Sequence, residues 1–256
     1  MPDTRVQPSA RWGLHFIDVE KAISRRVLSQ LKTQNLMYAL SIPTWIIHVS
    51  SVIEWIAAIW LIWTYGEVVQ NRAWRALSLA MLPALVSAMC ACTWHFFDNP
   101  ESLEWLVTLQ AAMTVVGNGT QAIAAWWIWK SQQKQETDLR LSAIVLLLPP
   151  TTLFSKETLF ALSLFPYLAF LWFLSRTQQT PRLALIGFYM TLVFVAVTIP
   201  AGIYAKVAYS ETLANVDWLH GGAESFLTLS NILVVLGFRQ GIQQLKSQPM
   251  RSSSSA

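Results

Sequence analysis

Charge is what this sequence has least of. Of its 256 residues only 12% are Asp, Glu, Lys or Arg, about half the share found in soluble domains, which excludes an ordinary water-facing enzyme surface. Cysteine is nearly absent. Cys90 and Cys92 are the two; on one helix they point about 200° apart, which excludes a disulfide between them and leaves the redox compartment open. No glycine-rich nucleotide loop, nucleophile elbow or zinc-protease motif occurs. Residues 1–35 hold no apolar core of the length a secretory signal needs, so none is expected. The net charge of +4 is small; it bears on membrane orientation and gives no reason to expect a nucleic-acid partner.

Apolar sequence is there in quantity. Hydrophobic residues make up 54% of the chain, and six long runs cover 42–64, 74–96, 103–129, 158–174, 183–205 and 218–238. Each approaches the roughly 20 residues that a crossing helix needs, and none alternates as strands do. Lipid admits only helical bundles or closed barrels, because backbone groups must be satisfied internally. The expected fold is therefore all-α: a polytopic transmembrane bundle of about six spans arranged as 3+3. Thirteen tryptophans, many near run ends (Trp45, Trp63, Trp74, Trp94, Trp105, Trp172, Trp218), suit the headgroup level.

The chain divides into a basic N-terminal segment, 1–41, a first membrane domain, 42–130, a connection, 131–157, a second membrane domain, 158–240, and a tail, 241–256, that is polar and expected to be disordered. Phe16, Val19, Ile23, Val27 and Leu31 recur at helical spacing, with Lys21, Arg25 and Lys32 opposite. This predicts an N-terminal amphipathic helix over 14–34. Within the connection, 141–154 is apolar but short and carries Pro149-Pro150, as a re-entrant piece would. Glu104-Trp105-Leu106 followed by Asn118 matches Asp217-Trp218-Leu219 followed by Asn231 at an offset of 113. Six spans would make such repeats inverted, with both termini on one side, which the Lys/Arg count makes the cytoplasmic side. If 141–154 crosses, the repeats become parallel.

Carboxylates inside apolar runs are functional-site candidates by default, because a charge in lipid must be neutralised, paired or turned to a polar interior. Glu54 and Glu224 qualify. His220, Glu224 and Asn231 fall within about 40° of one another on a helix, so His220 and Glu224 could share a proton, grip a polar headgroup or co-ligate a metal. An interhelical hydrogen-bond network is the plainer account. His48, near the start of the first run, and His95, near the end of the second, come to one membrane side in any antiparallel arrangement. A haem, a chlorophyll or a metal could use them; interfacial hydrogen bonding is the alternative. Gln110, Thr114, Gly117 and Gln121, with Asn118 at the margin, read as polar glue between helices. Pro83, Pro166 and Pro200 predict kinks. Spacing alone assigns no metal site, and no cofactor or catalytic residue is named.

The stretches Ser41-Ile42-Pro43-Thr44-Trp45-Ile46-Ile47-His48, Cys90-Ala91-Cys92-Thr93-Trp94-His95-Phe96-Phe97 and Leu106-Val107-Thr108-Leu109-Gln110-Ala111 resemble a hypothetical chloroplast reading-frame family of cyanobacteria and plastids. Glu157-Thr158-Leu159-Phe160-Ala161-Leu162-Ser163, Ile199-Pro200-Ala201-Gly202-Ile203-Tyr204 and Asn215-Val216-Asp217-Trp218-Leu219-His220-Gly221 resemble a second family of unknown function from the same lineages. The resemblance implies an integral membrane protein of a photosynthetic organism, in thylakoid or plasma membrane. The resemblance gives a setting and carries over no activity or site. The reading favoured for the chain is an accessory protein that helps assemble or maintain photosynthetic complexes, holding a pigment, quinone or lipid, with membrane lipids and photosynthetic subunits as partners. Two other readings stay open: a membrane enzyme acting on an isoprenoid or lipid by acid/base chemistry, and a small proton-coupled transporter.

Overall fold

A computed structural model of the chain describes residues 40–133 and 155–247; among them every regular element is helical. Helix α1 is Ile42–Val68, opened by a proline in its first turn, where the missing N–H costs nothing. Helix α2, Arg72–Ala80, starts at Asn71, whose side chain accepts from Ala73 N at 3.0 Å, an ordinary N-cap. A break at Met81 leads to α3, Leu82–Phe96, with Pro83 in its first turn. Helix α4 is Glu104–Gln132. Helix α5, Lys156–Ser175, is capped by Ser155 accepting from Thr158 N at 3.2 Å. Helices α6, Arg182–Tyr209, and α7, Asp217–Ser247, complete the bundle. Of the three prolines expected to kink spans, only Pro83 coincides with a break; Pro166 and Pro200 sit inside continuous helices.

Among the described residues, five helical stretches are long and apolar enough to cross a membrane: Ile42–Val68, Arg72–Phe96, Lys156–Ser175, Arg182–Tyr209 and Asp217–Ser247. Ile46, Ile53, Trp60, Phe165, Ile199, Ile203 and Val207 lie exposed on their outer faces, as lipid-facing residues do. Helix α4 has the length but not the apolarity. Its polar residues are turned onto neighbours. Thr114 meets Ser87 of α3 at 2.8 Å, Asn118 donates to Ser163 O of α5 at 3.0 Å, and Thr120 donates to Ala80 O of α2 at 2.8 Å. Gln121 is 1% exposed.

The order of the ends corrects the six-span expectation. Glu104, at the start of α4, pairs with Lys156, at the start of α5. At their far ends Gln132 accepts from Gln178 N at 2.9 Å and donates to Gln179 Oε1 at 3.2 Å. The two helices are therefore parallel. Helices α1 and α7 are parallel too: Ser41 N donates to Asp217 Oδ1 at 2.9 Å at one end, and Tyr65 packs on Phe238 at the other. The two halves share one orientation, so a repeat between them is parallel and not inverted. Each third helix, α4 or α7, lies along the first helix of the opposite half. A bundle set across a membrane in this way places the start of α1 and the end of α7 on opposite sides.

The ends also differ in charge. Among the described residues, where α1 begins stand Asp98, Glu101, Glu104, Glu157, Glu211 and Asp217 with Lys156 and Lys206; where it ends stand Arg72, Arg75, Lys130, Arg176, Arg182, Arg239 and Lys246 with Glu67. At the basic end the core is aromatic. Tyr65, Trp74, Phe188 and Phe238 stack edge to face over Ile62, Leu77 and Leu174, an arrangement that adds about 0.5–1.5 kcal/mol per ring pair beyond burial. Gln179, in the α5–α6 turn, ties this end together, its Oε1 accepting from Asn71, Trp74 and Gln132 at 3.1–3.2 Å.

Residues 241–247, assigned above to the tail, continue α7, with Gly241 and Ile242 buried. The amphipathic helix over 14–34, the apolar stretch 141–154 and the rest of the tail lie outside the described residues.

Candidate functional site

The acidic end holds three histidines. His48 comes from the second turn of α1, His95 from the last turn of α3 and His220 from the first turn of α7. They are 6%, 4% and 8% exposed. The ring centroids stand 5.1 Å apart for His48–His95, 5.0 Å for His48–His220 and 4.9 Å for His95–His220. One nitrogen of each ring lies within 4.8 Å of one from each of the others. His48 and His95 meet as the sequence pattern expects; His220 joins them from the other half.

Local structure sets each ring. His48 Nδ1 is 3.1 Å from Thr44 O, one turn back in α1. A carbonyl only accepts, so Nδ1 carries the proton and Nε2 its lone pair. His95 Nδ1 is 2.8 Å from Asn99 Oδ1. Asn99 is oriented in turn, because its Nδ2 donates to Asn215 Oδ1 at 3.0 Å, and Asn215 Nδ2 donates to Glu211 Oε2 at 2.9 Å. His95 is therefore also Nδ1-protonated. Asp98 and Asn99, at φ 59° and 56°, reverse the chain after α3 in the left-handed region that Asp and Asn tolerate better than most residues, and this turn puts the Asn99 amide beside His95. His220 Nε2 lies 3.2 Å from His48 Nε2. Gly221 allows that approach: a Cβ there would stand 2.5 Å from Thr44 Oγ1.

The expected His220–Glu224–Asn231 stripe divides among three places. His220 turns to His48 and His95, and no hydrogen bond joins it to Glu224. Glu224 lies one turn deeper, within electrostatic reach of Cys92. Asn231 faces Glu54 of α1, whose other polar neighbour is Ser50; Glu54 Oε2 is buried without a hydrogen-bond partner. His48–His220, Ser51–Thr228 at 2.9 Å and Glu54–Asn231 form a polar seam down the α1–α7 interface. Beyond Glu54 the seam gives way to Ala58, Ile62 and Tyr65 against Val234 and Phe238, all buried.

Thr44, Asn99, Asn215 and Glu211 were not foreseen as supports of the site. His95 and Asn99 stand one helical turn apart across a helix end that Pro100 marks, a signal the sequence does contain. The Asn99–Asn215 bond joins residues 116 apart in the chain and left no local trace.

Residues 39–127 match the model of a family described as "Protein of unknown function (DUF2499)", and residues 156–243 match that of "Protein of unknown function (DUF3593)". Over 94 residues, 37% of this chain, it is 64% identical to a Ycf49-like protein of Synechocystis sp., covering 90% of that protein. Over 84 residues, 33% of this chain, it is 36% identical to the uncharacterized protein ycf49 of Cyanophora paradoxa, covering 82% of it. No solved structure matches the chain.

Proposed function

Since this chain belongs to the Ycf49-like family of cyanobacteria and plastids, with a second family of unknown function making up its other half, we propose that it is an accessory protein of photosynthetic membranes, thylakoid or plasma membrane. In this reading it helps assemble or maintain photosynthetic complexes, working through the three-imidazole centre at its acidic end. The observation that carries the reading is the convergence of His48 and His95 from one half with His220 from the other. Burying three imidazoles together costs solvation, which a bound ligand would offset.

The centre fits some ligands better than others. Two axial imidazoles of a haem sit on opposite faces of a flat macrocycle; here a third ring touches both, which argues against a macrocycle between them. A small ligand suits the space better: an ion, or the polar head of a quinone or lipid. The enzyme reading needs an acid beside a base, and His220 is turned from Glu224. The transporter reading needs a polar path through the bundle, and the seam stops at Glu54 and Asn231.

The test is a deletion strain complemented with His48→Ala, His95→Ala or His220→Ala. Mild-detergent purification of the wild type should bring down subunits of photosynthetic complexes. Variants that accumulate should leave those complexes depleted. Unchanged complexes in the deletion strain would reject the accessory role.

A further inference from the structure

We propose that His48, His95 and His220 are the ligands of one divalent transition-metal ion of the kind that prefers imidazole, such as zinc, copper or nickel. This deepens the reading of the imidazole centre and rests on it.

Proton accounting leads to the ion. Nδ1 of His48 donates to Thr44 O, and Nδ1 of His95 donates to Asn99 Oδ1. Both rings therefore present a lone pair at Nε2. A single proton is available between them, on His220 Nε2, and it points at His48 Nε2, 3.2 Å away. The second lone pair, on His95, has no donor among the described residues. Two acceptor nitrogens and one donor, on residues that are 4–8% exposed, do not balance as a hydrogen-bond cluster, whereas three nitrogens converging on one point suit a metal ion. Zinc–nitrogen bonds of about 2.0–2.1 Å at a tetrahedral angle put ligand nitrogens about 3.4 Å apart, close to the 3.2 Å between His48 and His220. On binding, the His220 proton moves from Nε2 to Nδ1, so that all three rings stay neutral, and the three nitrogens, within 4.8 Å of one another, draw in to ligand spacing.

The supports are those of a metal site. A ligating histidine characteristically donates its second nitrogen to a carbonyl or carboxylate, which fixes its tautomer and raises its basicity. His48 does so to Thr44, and His95 does so through the Asn99–Asn215–Glu211 relay. Three neutral ligands leave the ion's charge to be balanced from outside. Asp217, within electrostatic reach of His48, and Glu211, which accepts from Asn215 in the relay, bring negative charge to this end. The six carboxylates around this end draw cations to it. The donor set also selects. All-nitrogen ligation disfavours magnesium, calcium and manganese, which prefer oxygen, and three protein ligands leave a fourth position free for water or another small ligand.

Cobalt(II) is the probe, because it takes zinc sites and absorbs visibly in tetrahedral ones. The full chain in mild detergent, freed of metal and titrated with cobalt, should develop a visible band that saturates at one equivalent and is bleached by zinc. His95→Ala and His220→Ala should weaken binding at least 100-fold. Asn99→Ala, which keeps every ligand and removes one support, should weaken it by about 10–100-fold. Cys92→Ser should bind as the wild type does; loss of the band there would overturn the three-imidazole set. Zinc should raise the unfolding temperature of the wild type and leave that of His220→Ala unmoved, a readout a purely structural histidine would not give. If a histidine variant does not fold, the Asn99→Ala titration and the wild-type zinc shift decide alone. A wild type that elutes as a single folded species yet shows neither band nor zinc shift would overturn the proposal. If those histidine variants still fail to restore photosynthetic complexes, the accessory reading stands and the centre holds a different ligand.

Discussion

One helix offers a paired test of the packing that builds this bundle. Gly237 and Gly222 both lie in α7. At Gly237 an added Cβ would stand 2.1 Å from Ala184 N, 2.6 Å from its Cα and 2.7 Å from its Cβ. The obstacle is the backbone of α6, which no rotamer change relieves. At Gly222 a Cβ meets nothing within 4 Å. Ordinary contact begins near 3.4 Å, so Gly237→Ala must part the two helices by roughly 1 Å. That opens the contact between the buried rings of Phe188 and Phe238, whose centroids stand 6.5 Å apart. Overpacking usually costs about 1–3 kcal/mol, and a clash of backbone against Cβ belongs at the top of that range. At about 2–4 °C per kcal/mol for a chain of this size, the midpoint of unfolding should fall by roughly 6–12 °C. Gly222→Ala should hold or rise, since alanine is favoured over glycine in a helix by up to about 1 kcal/mol. The assay is thermal unfolding in mild detergent, followed by loss of the monodisperse peak in size exclusion. Equal midpoints for the two variants would refute the α6–α7 interface described here.

Reporter fusions joined before residue 40 and after residue 247 should report opposite sides of the membrane; the same side for both would mean that α4 and α5 are not parallel. Gln179→Ala removes the acceptor shared by Asn71, Trp74 and Gln132 and should cost about 1–3 kcal/mol, read as a lower unfolding midpoint, whereas Gln179→Glu keeps an acceptor and should lose less. Glu54→Gln should accumulate at the wild-type level, while Glu54→Leu leaves Asn231 facing an apolar side chain and should lower accumulation; immunoblots of membranes compare the two. Because a relative of which 94 residues make up 90% is no longer than one half of this bundle, residues 1–140 and 141–256 expressed as separate chains should co-purify through the α1–α7 and α4–α5 contacts. Separate elution would show that the connection holds the halves together.

The positions of the long helices could be read in the chain because they follow from local composition; the number that cross could not. The run 42–64 became Ile42–Val68, and 183–205 became Arg182–Tyr209; apolar length alone dictates a crossing helix, whatever surrounds it. Polar glue on α4 was equally legible, since Thr114, Asn118 and Gln121 share a face before they meet anything. His48 and His95 were brought to one end by antiparallel succession, a rule of connectivity.

What the chain could not disclose is which face meets which helix. His220 looked like the partner of Glu224 because they stand one turn apart; tertiary packing turned it instead to rings contributed by the other half, and gave Asn231 to Glu54. The direction of α5 likewise depended on contacts between residues far apart, Glu104 with Lys156 and Asn118 with Ser163, and so did the choice between inverted and parallel halves. Hydropathy is a property of each segment by itself, so the sequence determined a helical membrane bundle and its titratable groups. The pairing of helices rests on small residues that let backbones touch, such as Gly221 against Thr44 and Gly237 against Ala184, and that complementarity exists only between two surfaces. It decided that three histidines from two halves form a single centre.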